Sequence, residues 1–361
     1  MKWSLYGPDV LAAWVAEMDF DVAPVVRAAI LDAVDREDFG YVEGDLSALT
    51  TATSDVLAAQ HVWSVPPARI FPIADVLAGI AAAFAAFVPE GAPIVVPTPA
   101  YPPFFEVVEL ARRPLVSAPL RNGTLDLDRI DAAFAGGAGA ILLCNPHNPT
   151  GRVFSSDELR ALAAIVDEHG VRVVADEVHA PLVYSPHQHV PYASLTEATA
   201  AHAITVTSAS KAFNLAGLKC GQVIASNHED ARRWRQLRVH EVPGPTPIGV
   251  AATIAAYNDG REWLGDLVAY LDANRKLLRE LVVSQLPGVT MRDPEATFLA
   301  WLDCAALGHG DPARFFLDHA HVALSDGPPF GPGCEQFVRL NFATSHELLE
   351  QIVVAMGAAR A

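Results

Sequence analysis

The sequence predicts an α/β fold in two parts: a larger one on a mostly parallel sheet covered by helices on both faces, and a smaller α+β one. Two observations carry this. From about residue 70 to 226, short apolar runs without strict alternation recur between helical segments, which is how strands buried on both faces read. After about residue 250 the order changes to long helical pattern, then strand, helix, strand, helix. A third observation sets the scale, since 361 residues suffice for two domains.

The elements follow in order. DVLAGIAAAFAAF (Asp75–Phe87) is Ala-rich and helical, with Asp75 as its N-cap. PIVVP (93–97) and GAILLCN (139–145) are apolar runs bounded by turn residues and read as strands. SSDELRALAAIVDEHG is a helix opened by a capping box of Ser155 with Glu158 and closed at Gly170. VRVVAD (171–176), AITVTS (203–208) and QVIAS (222–226) complete the strand series. Helical pattern then runs from Val250 to Val283, followed by the strand TFLAWLD (297–303) and a helix over 312–320. The strand FVRLNFA (337–343) and a last helix over 346–356 end the chain. EVPGPTPIG (241–249) and DGPPFGPG (326–333) read as loops.

Composition narrows the function. The net charge is −17, with Lys and Arg scattered, which argues against nucleic acid or an anionic membrane as partner. The four cysteines (Cys144, Cys220, Cys304, Cys334) form no C-x-x-C pair, so a disulfide framework or paired metal ligands are not expected. MKWSLYGPDV lacks the apolar core of a secretory signal, and VLAGIAAAFAAFV is shorter than the roughly 20 residues of a membrane span. A cytoplasmic, soluble protein is expected. His187 with His189, and His319 with His321, have no evident third ligand, so no metal is expected.

Three polar groups stand just past strand ends: NPHNPTG (145–151), DEVH (176–179) and SASK (208–211). That edge of an open α/β sheet binds ligands. A lysine amine forms a Schiff base with an aldehyde, and pyridoxal phosphate (PLP) is the aldehyde cofactor used this way. Its ring nitrogen needs a carboxylate, which Asp176 supplies, and its phenolic oxygen needs a donor, for which Asn148 is a candidate. Its phosphate needs hydroxyls, charge and backbone N–H groups at a helix start; Ser208, Lys219 and the segment Ile73-Ala74-Asp75 are candidates.

The order NP-x-NPTG, D-E-x-H, S-x-S-K with a basic residue eight further on resembles fold-type I PLP enzymes, the aspartate aminotransferase superfamily. KW…VLAAWVAEMDF, FGY, PAYPPF, NPHNPTGRVF, DEVHAPLVY, SKAFNLAGLK and RLNFA are similar to its cystathionine β-lyase (C–S lyase) branch, including bacterial enzymes of the MalY/PatB type. The resemblance implies a large PLP-binding domain over 42–248 on a mostly parallel seven-stranded sheet. It implies a small domain from 1–41 and 249–361. It implies that Lys211 carries the cofactor and moves the substrate α-proton, that Tyr101 stacks on the ring, and that His179 takes the place where many relatives have a Tyr. It further implies that Arg339 binds the substrate carboxylate, helped by the backbone around Ala16 and Glu17, and that Tyr41 reaches the phosphate of a neighbouring subunit in a homodimer. The activity implied is β-elimination on L-cystathionine or a related L-cysteine S-conjugate. An aminotransferase, or a regulatory PLP-binding protein, would share these residues. One departure stands out: Pro72-Ile73-Ala74-Asp75 replaces the Gly-Val-Val type of phosphate turn, and a carboxylate there repels a phosphate unless it caps the helix and points away.

Overall fold

The computed structural model describes residues 2–42, 45–238 and 241–359. Seven strands make one sheet: β1 (Ile70–Ile73), β2 (Ile94–Thr98), β3 (Leu115–Pro119), β4 (Ala140–Cys144), β5 (Arg172–Asp176), β6 (Ala203–Thr207) and β7 (Gly221–Ala225). Their order is β1-β7-β6-β5-β4-β2-β3. Neighbours run parallel except β7, which is antiparallel to β6 and β1. The mostly parallel sheet expected from the apolar runs is therefore present, and β2 and β4 are buried along their whole length.

Successive side chains on a strand face opposite sides, so β5 divides its residues between two cores. Val174 packs with Ile80, Phe84 and Phe104 of the helices Val76–Phe87 and Pro103–Leu110. Val173 and Ala175 pack on the other face with Leu159, Leu162 and Val166 of the helix Ser156–His169. The helix Val76–Phe87 comes unusually close to the sheet at Gly79. A Cβ there would stand 2.5 Å from Ile73 and 2.9 Å from Val206.

Two features of this sheet build the site. After β3 at the edge, the chain returns to the far side of β2 to form β4, so the strand order reverses between β2 and β4 and opens a crevice there. In register, Cys144 lies beside Asp176, and Asp176 beside Val206. The three polar loops thus leave the sheet side by side.

The helical run expected over Val250–Val283 is present. It is two helices, Pro247–Asp259 and Arg261–Gln285. Gly260 separates them at a crowded point, where a Cβ would meet the Ala256 carbonyl at 2.5 Å and the Phe213 ring at 2.6 Å. The supposed loop 241–249 ends inside the first of these helices, which Thr246 caps through Gly249 N–H at 3.0 Å. The strands Ser325–Asp326, Phe337–Asn341, Leu299–Asp303 and Thr290–Met291 form an antiparallel sheet in that order. Leu11–Ala12 runs parallel to Val322–Ala323 and anchors the N-terminal segment there. The capping box is only half formed. Ser155 accepts from Glu158 N–H, but the Glu158 carboxylate turns to Leu125 N–H (2.7 Å) and Arg152 (3.2 Å). No described helix is long and apolar enough to cross a membrane.

Candidate active site

A cavity of about 170 Å³ opens at the strand-order reversal, lined by Tyr101 after β2, Asn148 after β4, Asp176 and His179 after β5, and Ser208 and Lys211 after β6. Its far end is formed by Ala74, Asp75, Val76 and Leu77 at a helix start, with Lys219. The sequence-predicted polar residues thus converge on one space.

Lys211 reaches into the cavity and donates to the Ala16 carbonyl at 3.2 Å. Burial, seconded by the positive Arg339, lowers its pKa to about 8, against the pull of Asp176 and Glu17. Its loop is fixed by Ser208, whose hydroxyl donates to the Cys220 carbonyl (2.7 Å) and accepts from Ser210 N–H (3.0 Å). The hydroxyl proton is therefore engaged with the backbone, unlike the phosphate donor expected.

Asp176 is buried, and burial pushes its pKa up to about 7. Val178 N–H donates to one oxygen at 3.0 Å, and the other carboxylate oxygen has no hydrogen bond among the described residues. His179 is buried with Nδ1 unpartnered, and burial drops its pKa to about 3, so the ring is neutral. Tyr101 stands edge-on to Phe104, with ring centroids 5.5 Å apart.

Arg339 comes from the small sheet. Its Nη1 donates to Asn148 Oδ1 at 3.0 Å, and its Nη2 donates to the Trp14 carbonyl (3.2 Å) and Ser325 Oγ (3.0 Å). A guanidinium accepts nothing, so the Asn148 atom facing it must be the carbonyl oxygen, which leaves the amide NH₂ as a donor elsewhere. Arg339 Nε is buried without a partner.

The phosphate end is different in kind. Lys219 pairs with Asp75 at 2.8 Å, and the other Asp75 oxygen caps the helix through Ala78 N–H at 2.9 Å. Asp75 thus caps the helix as expected, but it lines the cavity with Lys219 and does not point away from it. Ile73 is buried in β1 and does not line the cavity, contrary to expectation, whereas Ala74 does line it with its N–H donated to the Pro243 carbonyl at 2.7 Å. Glu17 also departs, since its N–H goes to Val15 O and its carbonyl accepts from Asn341 at 2.6 Å. Tyr41 is 94% exposed and takes no part in its own chain's cavity.

Sequence reasoning missed the residues that place these groups. Asn214 grips Met18 by both backbone groups at 3.0 Å, and Asn341 holds the Val15 and Glu17 carbonyls at 2.6 Å. Together they set the Ala16 carbonyl in front of Lys211. Arg152 binds both oxygens of Glu295 (2.9 and 3.0 Å), tying the Asn148 loop to the small sheet. Both asparagines lie inside the quoted motifs SKAFNLAGLK and RLNFA, which was the available signal. Among the described residues, no group of three His, Cys, Asp or Glu could hold a metal ion.

Residues 14–356 match the family described as aminotransferase class I and II. The chain belongs to that family. It is 39% identical to a cystathionine beta-lyase of Corynebacterium glutamicum over 97% of this chain and 94% of the relative. It is 33% identical to the cystathionine beta-lyase PatB of Bacillus subtilis, covering 99% and 96%. The solved PLP-bound C-S lyase of Staphylococcus hominis superposes with a TM-score of 0.92 at 28% identity, covering 99% of this chain and 95% of that one. The family is PLP-dependent, and the cavity fits that cofactor on its own evidence. A buried carboxylate with an open oxygen lines it together with a lysine of lowered basicity, a tyrosine ring and an amide free to donate.

Proposed function

We propose that this chain is a PLP-dependent carbon–sulfur lyase that splits L-cystathionine, or a related S-conjugate of L-cysteine, with one water to a thiol, pyruvate and ammonia. The observation that carries the reading is the convergence of Lys211, Asp176 and Asn148 on one cavity, with the buried Arg339 hydrogen-bonded to Asn148. The names of the relatives support the choice of reaction.

When bound, PLP supplies an electron sink for negative charge at the substrate α-carbon. The chain's own residues do the rest. Arg339 holds the substrate carboxylate with a planar fork and so sets which α-bond faces the amine. Lys211 Nζ, near neutrality a mixture of amine and ammonium, takes the α-proton and returns it as the thiolate leaves. Asp176 keeps the cofactor's ring nitrogen protonated, and the Asn148 amide donates to the phenolic oxygen. Tyr101 covers the ring and keeps water from the reacting carbon. Lys219 and the first turn of the helix Val76–Phe87 receive the phosphate.

The division into a large domain over 42–248 and a small one over 1–41 and 249–361 belongs to the same reading, since Lys211 and Arg339 then come from opposite sides of one cleft. So does a homodimer in which Tyr41, with the exposed Phe39 near it, serves the partner's phosphate site. Four buried cysteines that form no disulfide among the described residues suit a cytoplasmic setting.

The test is to incubate the PLP-loaded protein with L-cystathionine and assay pyruvate and free thiol, with and without an added 2-oxo acid. Both products form without the 2-oxo acid. Turnover only in its presence would overturn the lyase in favour of an aminotransferase, and PLP binding with no turnover would favour a regulatory protein.

A further inference from the structure

Residues 14–17 present four successive backbone carbonyls, and side chains take all of them. Trp14 O accepts from Arg339 Nη2 at 3.2 Å and from the Ser325 hydroxyl, which itself accepts from Arg339. Val15 O and Glu17 O accept from Asn341, and Ala16 O accepts from Lys211. This short segment therefore seats both the proposed proton carrier and the proposed holder of the substrate carboxylate. On either side of it the backbone is already anchored, Ala13 by Ala323 and Asn341, and Met18 by Asn214.

Lys2 touches both ends of this segment. Its Nζ donates to Glu17 O at 3.3 Å, and its own carbonyl accepts from Trp14 Nε1 at 3.2 Å. Asp19 holds the same ammonium at 2.7 Å, and the other Asp19 oxygen accepts from Trp3 Nε1 at 2.7 Å. Asp19 is itself fixed, its N–H donating to Ala343 O at 3.0 Å. Lys2, Trp3, Trp14 and Asp19 all belong to the quoted motif KW…VLAAWVAEMDF, yet the mechanism uses none of their side chains. The Lys2 side chain is only 4% exposed. Burial lowers its pKa, against the opposing pull of Asp19 and Glu17. A buried ion pair is a poor source of stability, because an apolar side chain of similar length avoids the desolvation cost. What the pair does supply is geometry, since one ammonium must meet a carboxylate and a carbonyl at once.

We infer that Lys2 is a positioning residue for substrate binding: with Asp19 it braces residues 14–17, so that the Trp14 carbonyl holds Arg339 in the orientation that receives a carboxylate. The inference rests on the reading of Arg339 as the holder of the substrate carboxylate. Lys2 acts through the backbone of residues 14–17 and does not line the cofactor cavity. Without its ammonium, Glu17 O keeps only Asn341, and the brace between the two ends of the segment is lost. Arg339 then retains Asn148 at Nη1 but meets a less fixed carbonyl at Nη2.

The experiment uses the PLP-loaded protein and two amines, L-alanine and ethylamine, which differ by the carboxylate. Each is titrated against the visible absorbance of the bound cofactor, and the preference is the Kd of ethylamine divided by that of L-alanine. Neither amine is a thioether, so the result does not depend on lyase turnover, and their difference in basicity is common to all variants. The wild type prefers L-alanine. Lys2→Met lowers that preference by about fivefold, the scale of one weakened hydrogen bond to a charged group. It also lowers the urea midpoint, because Asp19 is left without its cation. Adding Asp19→Asn brings the midpoint back, since no unpaired charge remains, and leaves the preference low. If Lys2→Met is too unstable to load with PLP, the double variant alone decides. A double variant that regains the wild-type preference together with the midpoint, or a Lys2→Met protein that never loses the preference, makes Lys2 a structural residue and overturns this inference alone. A wild type with no preference for L-alanine overturns the reading of Arg339 and this inference with it.

Discussion

The two ends of the cofactor cavity rest in opposite electrostatic states. At the ring end, Asp176 and Lys211 are both pushed towards their neutral forms, and His179 and Arg339 each keep an unpartnered nitrogen. At the phosphate end, Lys219 and Asp75 satisfy each other in a partly exposed ion pair, and Asp75 caps a helix as well. The ring end carries electrostatic costs that a bound cofactor relieves. The Lys219–Asp75 end has no such cost, and on the proposed reading its ion pair must open to admit a phosphate. On that reading, buried groups supply the specificity for a charged ring, while the phosphate is taken up by a surface pair that solvent and salt can also serve.

The largest effect should come from breaking the ring end at its amine. Lys211→Ala removes the covalent handle and the proton carrier together, so pyruvate release falls by at least about a thousandfold. The fold should persist, because the lost amine was a buried cation with one hydrogen bond to a carbonyl. Appreciable pyruvate from this variant would refute the assignment of the lysine.

Asp176→Asn sharpens the contrast by separating activity from stability. Turnover drops by roughly a hundredfold, the scale of deleting one partner from a buried charged contact. Stability of the cofactor-free protein moves the other way, with a defined pH window. Burial raises the folded pKa from 3.8 to about 7, so the unfolded chain releases this proton first as pH rises. The wild type therefore loses stability between about pH 4 and 7 and carries the full penalty above, on the order of 4 kcal/mol with the pull of Lys211 already included. Urea denaturation of the stripped proteins should show the variant more stable at pH 8 and equal near pH 4, with the pH 8 gap closing when PLP is restored to the wild type. A gap at pH 8 that is absent or reversed without PLP would show that the carboxylate is not under strain.

Much of the ring end was legible because it sits at the ends of strands that advertise themselves. Val173–Ala175 and Ala140–Cys144 are unbroken apolar runs, and the polar residues that follow them leave a parallel sheet at one edge. β1 and β3 were not legible. Pro72 makes IFPI look like a turn, though an edge strand tolerates it, and LVSAP leaves Leu115 exposed at the opposite edge. The grip of Asn214 and Asn341 on the N-terminal segment spans 196 and more than 320 residues, a pairing that no local periodicity encodes. The acid beside the phosphate site looked like a liability until the coordinates gave each of its oxygens a partner.

That acid gives the smallest expected effect and the finest test of the contrast. Asp75→Asn keeps the helix cap, because asparagine accepts from Ala78 N–H as well as aspartate does. It removes one negative charge from the space a phosphate enters and releases Lys219 from its resting pair. PLP should then bind about fivefold more tightly, since exposed pairs are worth little and the repulsion they mask is equally modest. Raising salt should shrink the difference, because both charges face solvent and are screened over about 8–10 Å. If the variant instead binds PLP more weakly, the pair is not a competitor of the phosphate but the device that aims Lys219 at it. In that case the phosphate end would be as preorganised as the ring end, and the contrast between them would be one of exposure alone.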